Sequence, residues 1–177
     1  MPVMHAAVDA WFDLRARCVG EYMNSFAVRC HAEGFDAGAF VFAPSLWWFV
    51  GQRPDVLSSL DVVSPMLYRA YPHDEGPACL NHEWAAMHDM LTGTTRTPAE
   101  VASMLFDTLI LTDDRANGLS PEHVGAETAA ARAMLAKRVK LMPIIQTEDD
   151  ELDKTYEQVM HAGADGCGEF CFDQKAF

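Results

Sequence analysis

The chain has 177 residues, of which 50% are hydrophobic and 10% aromatic, enough for one domain with a buried core and too apolar for a disordered segment. Its formal net charge is −13 and its pI is near 4.7, which argues against nucleic acid as a partner, because phosphate binding needs a basic face. No apolar run reaches about 18 residues without a charge, so no segment reads as a membrane span, and the start MPVMHAAVDAWFDLRARC lacks the basic lead and apolar centre of a secretory signal, so a cytoplasmic protein is expected.

The first element is a long amphipathic helix over residues 8–33, in which Trp11, Leu14, Cys18, Tyr22, Phe26 and Cys30 recur at helical spacing. Gly34 ends it, since glycine tolerates the left-handed conformation that follows a helix. AGAFVFAP, closed by Pro44, reads as a short buried strand. A short helix or turn over residues 45–60 holds Trp47 and Trp48. VVSPMLY after Asp61 is the second strand, irregular at Pro65 because proline cannot donate to a ladder.

The loop RAYPHDEGPACLNHE follows, and then helices over 84–91 and 98–111. The second of these carries a T-x-x-E capping box at Thr97 and Glu100, with Pro98 in the first turn. Residues 113–118 read as a turn. Ser120-Pro121-Glu122-His123 starts a further helix, with a restart near Gly125, running to Arg138. VKLMPIIQ is the third apolar run, with an internal proline. TEDDELDKTYEQVMHAGADG is a helix with an acidic first turn, favourable against the helix dipole, ending at Gly163. GCGEFCFD is the fourth strand. Apolar strands alternating with helices predict a single α/β domain built on a parallel sheet.

The five cysteines, Cys18, Cys30, Cys79, Cys167 and Cys171, form no C-x-x-C pair and read as reduced, mostly buried thiols. Cys167 and Cys171, four apart on one strand, would lie about 13 Å apart, too far for a disulfide or a shared metal.

DVVSPMLY, KLMPIIQ and AGADGCGEF together resemble the late strands of a (β/α)8 barrel of the glycoside-hydrolase kind. In such barrels a D-x-V-x-P-M-x-Y strand, a P-x-x-Q strand and a final G-A-D-G strand follow in this order. The resemblance covers most of the chain. It implies a partial TIM barrel, a half-barrel of four parallel strands with helices, spanning residues 1–177 and corresponding to strands five to eight. A full barrel needs about 250 residues. The D-x-x-D-x-D-x-E motif of related hydrolases, whose fourth strand supplies the catalytic acid, does not occur in this sequence. The expectation is therefore the C-terminal part of a carbohydrate-active, hydrolase-like barrel, inactive by itself. The alternative is a non-catalytic structural or ligand-binding half-barrel that forms a homodimer through exposed barrel edges.

The resemblance places the site at the carboxyl ends of the strands. Tyr68 and Arg69 end the second strand, where a phenol can bond a sugar hydroxyl or a reacting carboxylate and a guanidinium can clamp an anion. His73, with Tyr71, Asp74 and Glu75, lies in the loop that follows. Gln146 ends the third strand, where an amide suits a hydroxyl-rich ligand. Glu169 stands inside an apolar strand, a costly place for a carboxylate unless paired or functional. Pointing into the barrel it would act as acid or base; facing the helices it would need a cationic partner. Asp173 is a second carboxylate, but a spacing of four puts the two about 13 Å apart, too wide for a hydrolytic pair. One of Trp47 and Trp48 is a stacking platform for a sugar, or both are core side chains or a surface left bare by the missing half. Asn81, His82 and Glu83 offer a general base or a helix-capping segment; the order H-E without a histidine at 86 does not make a zinc site. No glycine-rich phosphate loop and no compact His/Asp ligand cluster stands out, so no cofactor and no metal are expected.

Overall fold

The computed structural model describes residues 2–69 and 120–170. The loop after Arg69, the two helices expected over 84–91 and 98–111, and the turn at 113–118 lie outside the described residues, as do His73, His82 and Asp173.

In chain order the elements are α1 (Pro2–Ala32), β1 (Gly38–Val41), a 3-10 turn (Pro44–Leu46), α2 (Trp47–Val50), α3 (Pro54–Leu57), β2 (Val62–Pro65), α4 (Pro121–Met134), β3 (Lys140–Leu141), β4 (Ile144–Gln146), α5 (Leu152–His161) and β5 (Gly168–Phe170). Every strand pair is parallel. β1 pairs with β2, β2 with β3, and β4 with β5, and a bridge from Met66 to Ile144 carries the pairing of the second strand on to β4. The spatial order of the strands therefore follows the chain, and the described residues form a mixed α/β fold.

The two prolines expected to disturb strands do so at their ends. Pro65 closes β2, and the next N–H, from Met66, donates to the Val41 carbonyl at 2.8 Å. Pro143 separates β3 from β4, because it has no N–H for the ladder; its carbonyl still accepts from Gly168 at 2.8 Å. The third apolar run is thus one path broken at a single residue.

All helices described pack on one face of the strands. Val41, Val63 and Leu141 meet Ala27 of α1, Leu57 of α3, and Ala131 of α4 in one buried cluster; Leu67 and Ile145 meet Val124 of α4 and Val159 of α5 in a second. Alternation puts the strand residues between these on the opposite face, where Phe40 is 71% exposed.

Two aspartates hold the amino ends of the strands in the same way. Asp61, just before β2, accepts from the Ala37 N–H at 2.8 Å, and Asp165, in the turn before β5, accepts from the Leu141 N–H at 2.8 Å; each partner lies 24 residues upstream. His31 lies 2.6 Å from Asp61. The His31 hydrogen bond first, and the Ala37 N–H second, hold the Asp61 carboxyl below its ordinary value of 3.8. A depressed carboxyl stabilises the fold above its unfolded pKa, and that contribution is lost as the pH falls through the folded value. Thermal melts of the protein should therefore shift downward below about pH 4, and less steeply in Asp61→Asn; equal slopes in the two proteins would refute this role.

Two helices depart from the sequence expectation. α4 runs without a restart through Gly125, because that glycine is the crossing point with α5: a Cβ there would sit 3.1 Å from the Gln158 amide oxygen. Ser120 caps α4, accepting from the His123 N–H. In α1 the stripe Trp11, Leu14, Cys18, Tyr22 and Phe26, which the spacing marks as the core face, points outward; Trp11 is 54% and Tyr22 74% exposed. The face that meets the body is made of Ala16, Gly20, Met23 and Ala27. A Cβ at Gly20 would come within 2.7 Å of Val56, so the helix sits too close to α3 for large side chains. Cys30 alone of the stripe packs against the core.

Candidate functional site at the carboxyl ends of the strands

Met66, Tyr68, Ile144, Gln146, Gly168 and Phe170 share a face of the strands. Gln146 is in register with Phe170, and the Leu67 N–H donates to the Ile144 carbonyl at 2.8 Å, which sets Tyr68 level with Gln146. The rings of Tyr68 and Phe170 lie 5.4 Å apart at an interplanar angle of 36°. Tyr68 and Gln146 are buried, while Phe170 is 41% exposed. The result is an aromatic shelf with a phenol and an amide beside it, at the carboxyl end of the sheet.

Arg69 follows Tyr68 and turns toward α5. Its guanidinium grips Asp149 with two nitrogens, Nε donating to Oδ2 at 2.6 Å and a terminal nitrogen to Oδ1. Asp149 also accepts from the Glu151 N–H at 2.8 Å and from the Thr155 hydroxyl at 2.7 Å. Burial, the largest single influence on this carboxyl, pushes its pKa up; the Arg69 guanidinium, the Glu151 N–H and the Thr155 hydroxyl together outweigh it, and the net direction is down. Asp149, expected only as a first-turn acid, is thus a buried ion that fixes the end of β2 to the start of α5. The fork geometry suits a carboxylate, so the anion Arg69 clamps is the protein's own.

Glu169 stands in register with Ile145, whose side chain belongs to the core beneath α4 and α5. It therefore lies on the helix side of β5, not on the face of Tyr68 and Gln146, and it is exposed to solvent. That resolves the cost of a carboxylate in this strand: water solvates it. The neighbouring Cys167 thiol is pushed up to about 11, by burial first and by the Glu169 charge second, so it stays protonated and unreactive at neutral pH.

Trp47 is 2% exposed. Its indole N–H donates to the Phe42 carbonyl at 2.7 Å, the bond a buried tryptophan needs. Of the roles open to it, core, sugar platform and bare surface, the structure gives it the first. Trp48 has the Arg53 guanidinium 5.1 Å from its ring centroid. The exposed aromatic beside Tyr68 is Phe170, which the sequence reading passed over; its signal is the alternation in GCGEFCF, which sets it on the face opposite Glu169.

A second polar cluster lies behind the sheet. Glu127 of α4 is fully buried and accepts from the Ser45 N–H at 3.0 Å, in the 3-10 turn after β1. His123, one helical turn earlier, has Nε2 3.8 Å from the other Glu127 oxygen. Glu127 thus ties α4 to the carboxyl end of β1. Among the described residues no group of three or more His, Cys, Asp or Glu side chains is placed to hold a metal ion, and no helix is long and apolar enough to cross a membrane.

On the shelf face the described residues present hydrogen-bonding and stacking groups. Comparison with protein-family models, with curated proteins and with solved structures finds no match for this chain.

Proposed function

We propose that the chain is the C-terminal half of a glycoside-hydrolase-like (β/α)8 barrel, and that the carboxyl ends of its strands bind a neutral carbohydrate without hydrolysing it. The observation that carries this reading is the shelf itself: Tyr68, Gln146 and Phe170 converge on one face at the ends of β2, β4 and β5. Support comes from the strand order, which follows the chain, and from the helices on one face, both of which a barrel segment requires. An aromatic face offers the C–H side of a sugar ring its apolar contact, and the buried phenol and amide behind it would exchange their present partners for sugar hydroxyls. Among the described residues, Glu169 stands on the other face and Asp149 is held ionised by Arg69, so neither serves this shelf as a catalytic acid.

Calorimetric titration of the full chain with neutral oligosaccharides tests this. Binding should appear, Phe170→Ala and Tyr68→Phe should each weaken it by about tenfold, and Glu169→Gln should leave it unchanged. No heat at about 10 mM ligand, a concentration well above the weakest affinities of interest, overturns the reading.

A further inference from the structure

The outward stripe of α1 gathers four of the exposed large hydrophobic side chains on one helix face. Trp11, Leu14, Tyr22 and Phe26 together expose roughly 400 Å² of side chain, an area that in soluble proteins marks an interaction site. Arg15 and Arg29 stand on the same face, Arg15 over the Trp11 ring at 5.5 Å; the one acid at its border is Glu21, seven residues after Leu14. This is a basic-edged apolar surface on a chain with twice as many acidic as basic residues.

α5 carries the complement. Its inner side buries Thr155 and Val159, and its flank toward α4 holds Lys154, 2.9 Å from Glu122, and Gln158 against Gly125. The remaining flank, at spacings of three and four, consists of Asp153, Tyr156, Glu157 and Met160. Tyr156 is 45% exposed, and both acids are exposed. Arg29 lies one turn from the end of α1 and Glu157 one turn from the end of α5, so the two stand at similar heights relative to the strands their helices precede.

We propose that a second copy of the chain covers the α1 stripe with its α5, and that two copies close on each other around a twofold axis, α1 of each against α5 of the other. This rests on the half-barrel arrangement proposed above and is independent of the sugar. A helix on each flank of the half is left with an open side; the α5 side offers Tyr156 and Met160 to the apolar stripe and opposes it in charge. Closing a half-barrel also removes its strand edges; among the described strands β1 pairs only with β2. Because each copy contributes both surfaces, the dimer contains two such contacts, which brings the buried area into the range of about 800 Å² per partner that a stable complex needs.

Sedimentation equilibrium of the full chain should give a mass twice 19.6 kDa. Arg29→Glu alone and Glu157→Arg alone should each weaken the dimer by about a hundredfold, because like charges then face each other in both contacts. An equimolar mixture of the two variants should recover the dimer: one contact is then Glu against Arg and the other is native. Only folded chains can show this rescue, so misfolding cannot imitate it. A wild-type monomer at about 100 µM, well above the concentration at which a stable dimer assembles, overturns the proposal whether or not it binds sugar. So does a mixture that stays monomeric, or an Arg29→Glu effect with none from Glu157→Arg, which would place α1 against a different surface. A dimer that binds no oligosaccharide upholds this assembly and removes only the sugar.

Discussion

Asp149→Ala should lower the stability of the protein by about 3–5 kcal/mol, a drop of about 10 °C or more in melting temperature for a chain of this size. The Asp149 side chain is 1% exposed and that of Arg69 10%, so truncating the acid leaves a guanidinium in a place water cannot readily reach. The penalty comes from losing the buried two-point fork: Glu151 Oε2, 3.5 Å from the same guanidinium, is a half-exposed carboxylate and replaces it only in part. The Glu151 N–H and the Thr155 hydroxyl lose their acceptor in the same step, which loosens the start of α5. Asp149→Asn keeps an acceptor of nearly the same shape and should cost less. Urea or thermal unfolding of the two variants beside the parent checks the order. A loss under about 1 kcal/mol in Asp149→Ala, the level of a solvated surface pair, would show that the pair is not buried in solution. The sign with pH follows from the depressed Asp149 carboxyl: its contribution is present above the ordinary carboxylate range and is lost as acid protonates it in the folded state. The variants should therefore converge with the parent at low pH.

Gly51→Ala should be the second large effect, a loss of about 2–4 kcal/mol. Gly51 ends α2 with φ at 75°, a left-handed conformation that costs an L-residue about 1–2 kcal/mol. A Cβ at this position would also lie 3.1 Å from the Ala16 nitrogen and 3.2 Å from its Cα. These are backbone atoms of α1 and cannot swing aside as a side-chain tip would, so α1 itself must shift. The two costs have separate causes and separate tests. Gly34→Ala has the same sign of φ, at 78°, with nothing within 4 Å of the added Cβ, and should show the conformational cost alone. Chemical denaturation of both measures the difference; equal losses would mean that the α1 contact contributes nothing.

Much of the fold was legible in the residues. The strands at 38–41, 62–65, 140–146 and 168–170 fall inside the apolar runs that mark them, because a buried parallel strand must be apolar on both faces whatever covers it. Ser120 and Pro121 start α4, and Gly34 and Gly163 lie where α1 and α5 give out, since caps and positive φ are local requirements. The site was legible only in outline. Tyr68 and Gln146 do stand together on one face, which period-two alternation and the strand ends imply. The partner of Arg69 was not legible: Asp149 is 80 residues away, and no local pattern separates a first-turn acid in water from one buried under a guanidinium. Glu169 and Trp47 each had more than one reading of equal chemical sense, and choosing among them required knowing which face of β5, and which side of the turn after β1, meets solvent.

The sequence by itself determined what each segment is: its apolar runs, its breaks at Pro65 and Pro143, its caps and its acidic surface, all set by forces that act within a few residues. Only the tertiary structure decided which way the segments face. The clearest instance is α1, whose hydrophobic periodicity names Trp11, Leu14, Tyr22 and Phe26 while the fold buries Ala16 and Ala27 instead and sets Gly20 against Val56. Periodicity reports that a helix has an apolar side. It does not report how close the neighbouring backbone comes, and where Gly20 meets Val56 and Ala16 meets Gly51 that closeness leaves room only for the smallest side chains.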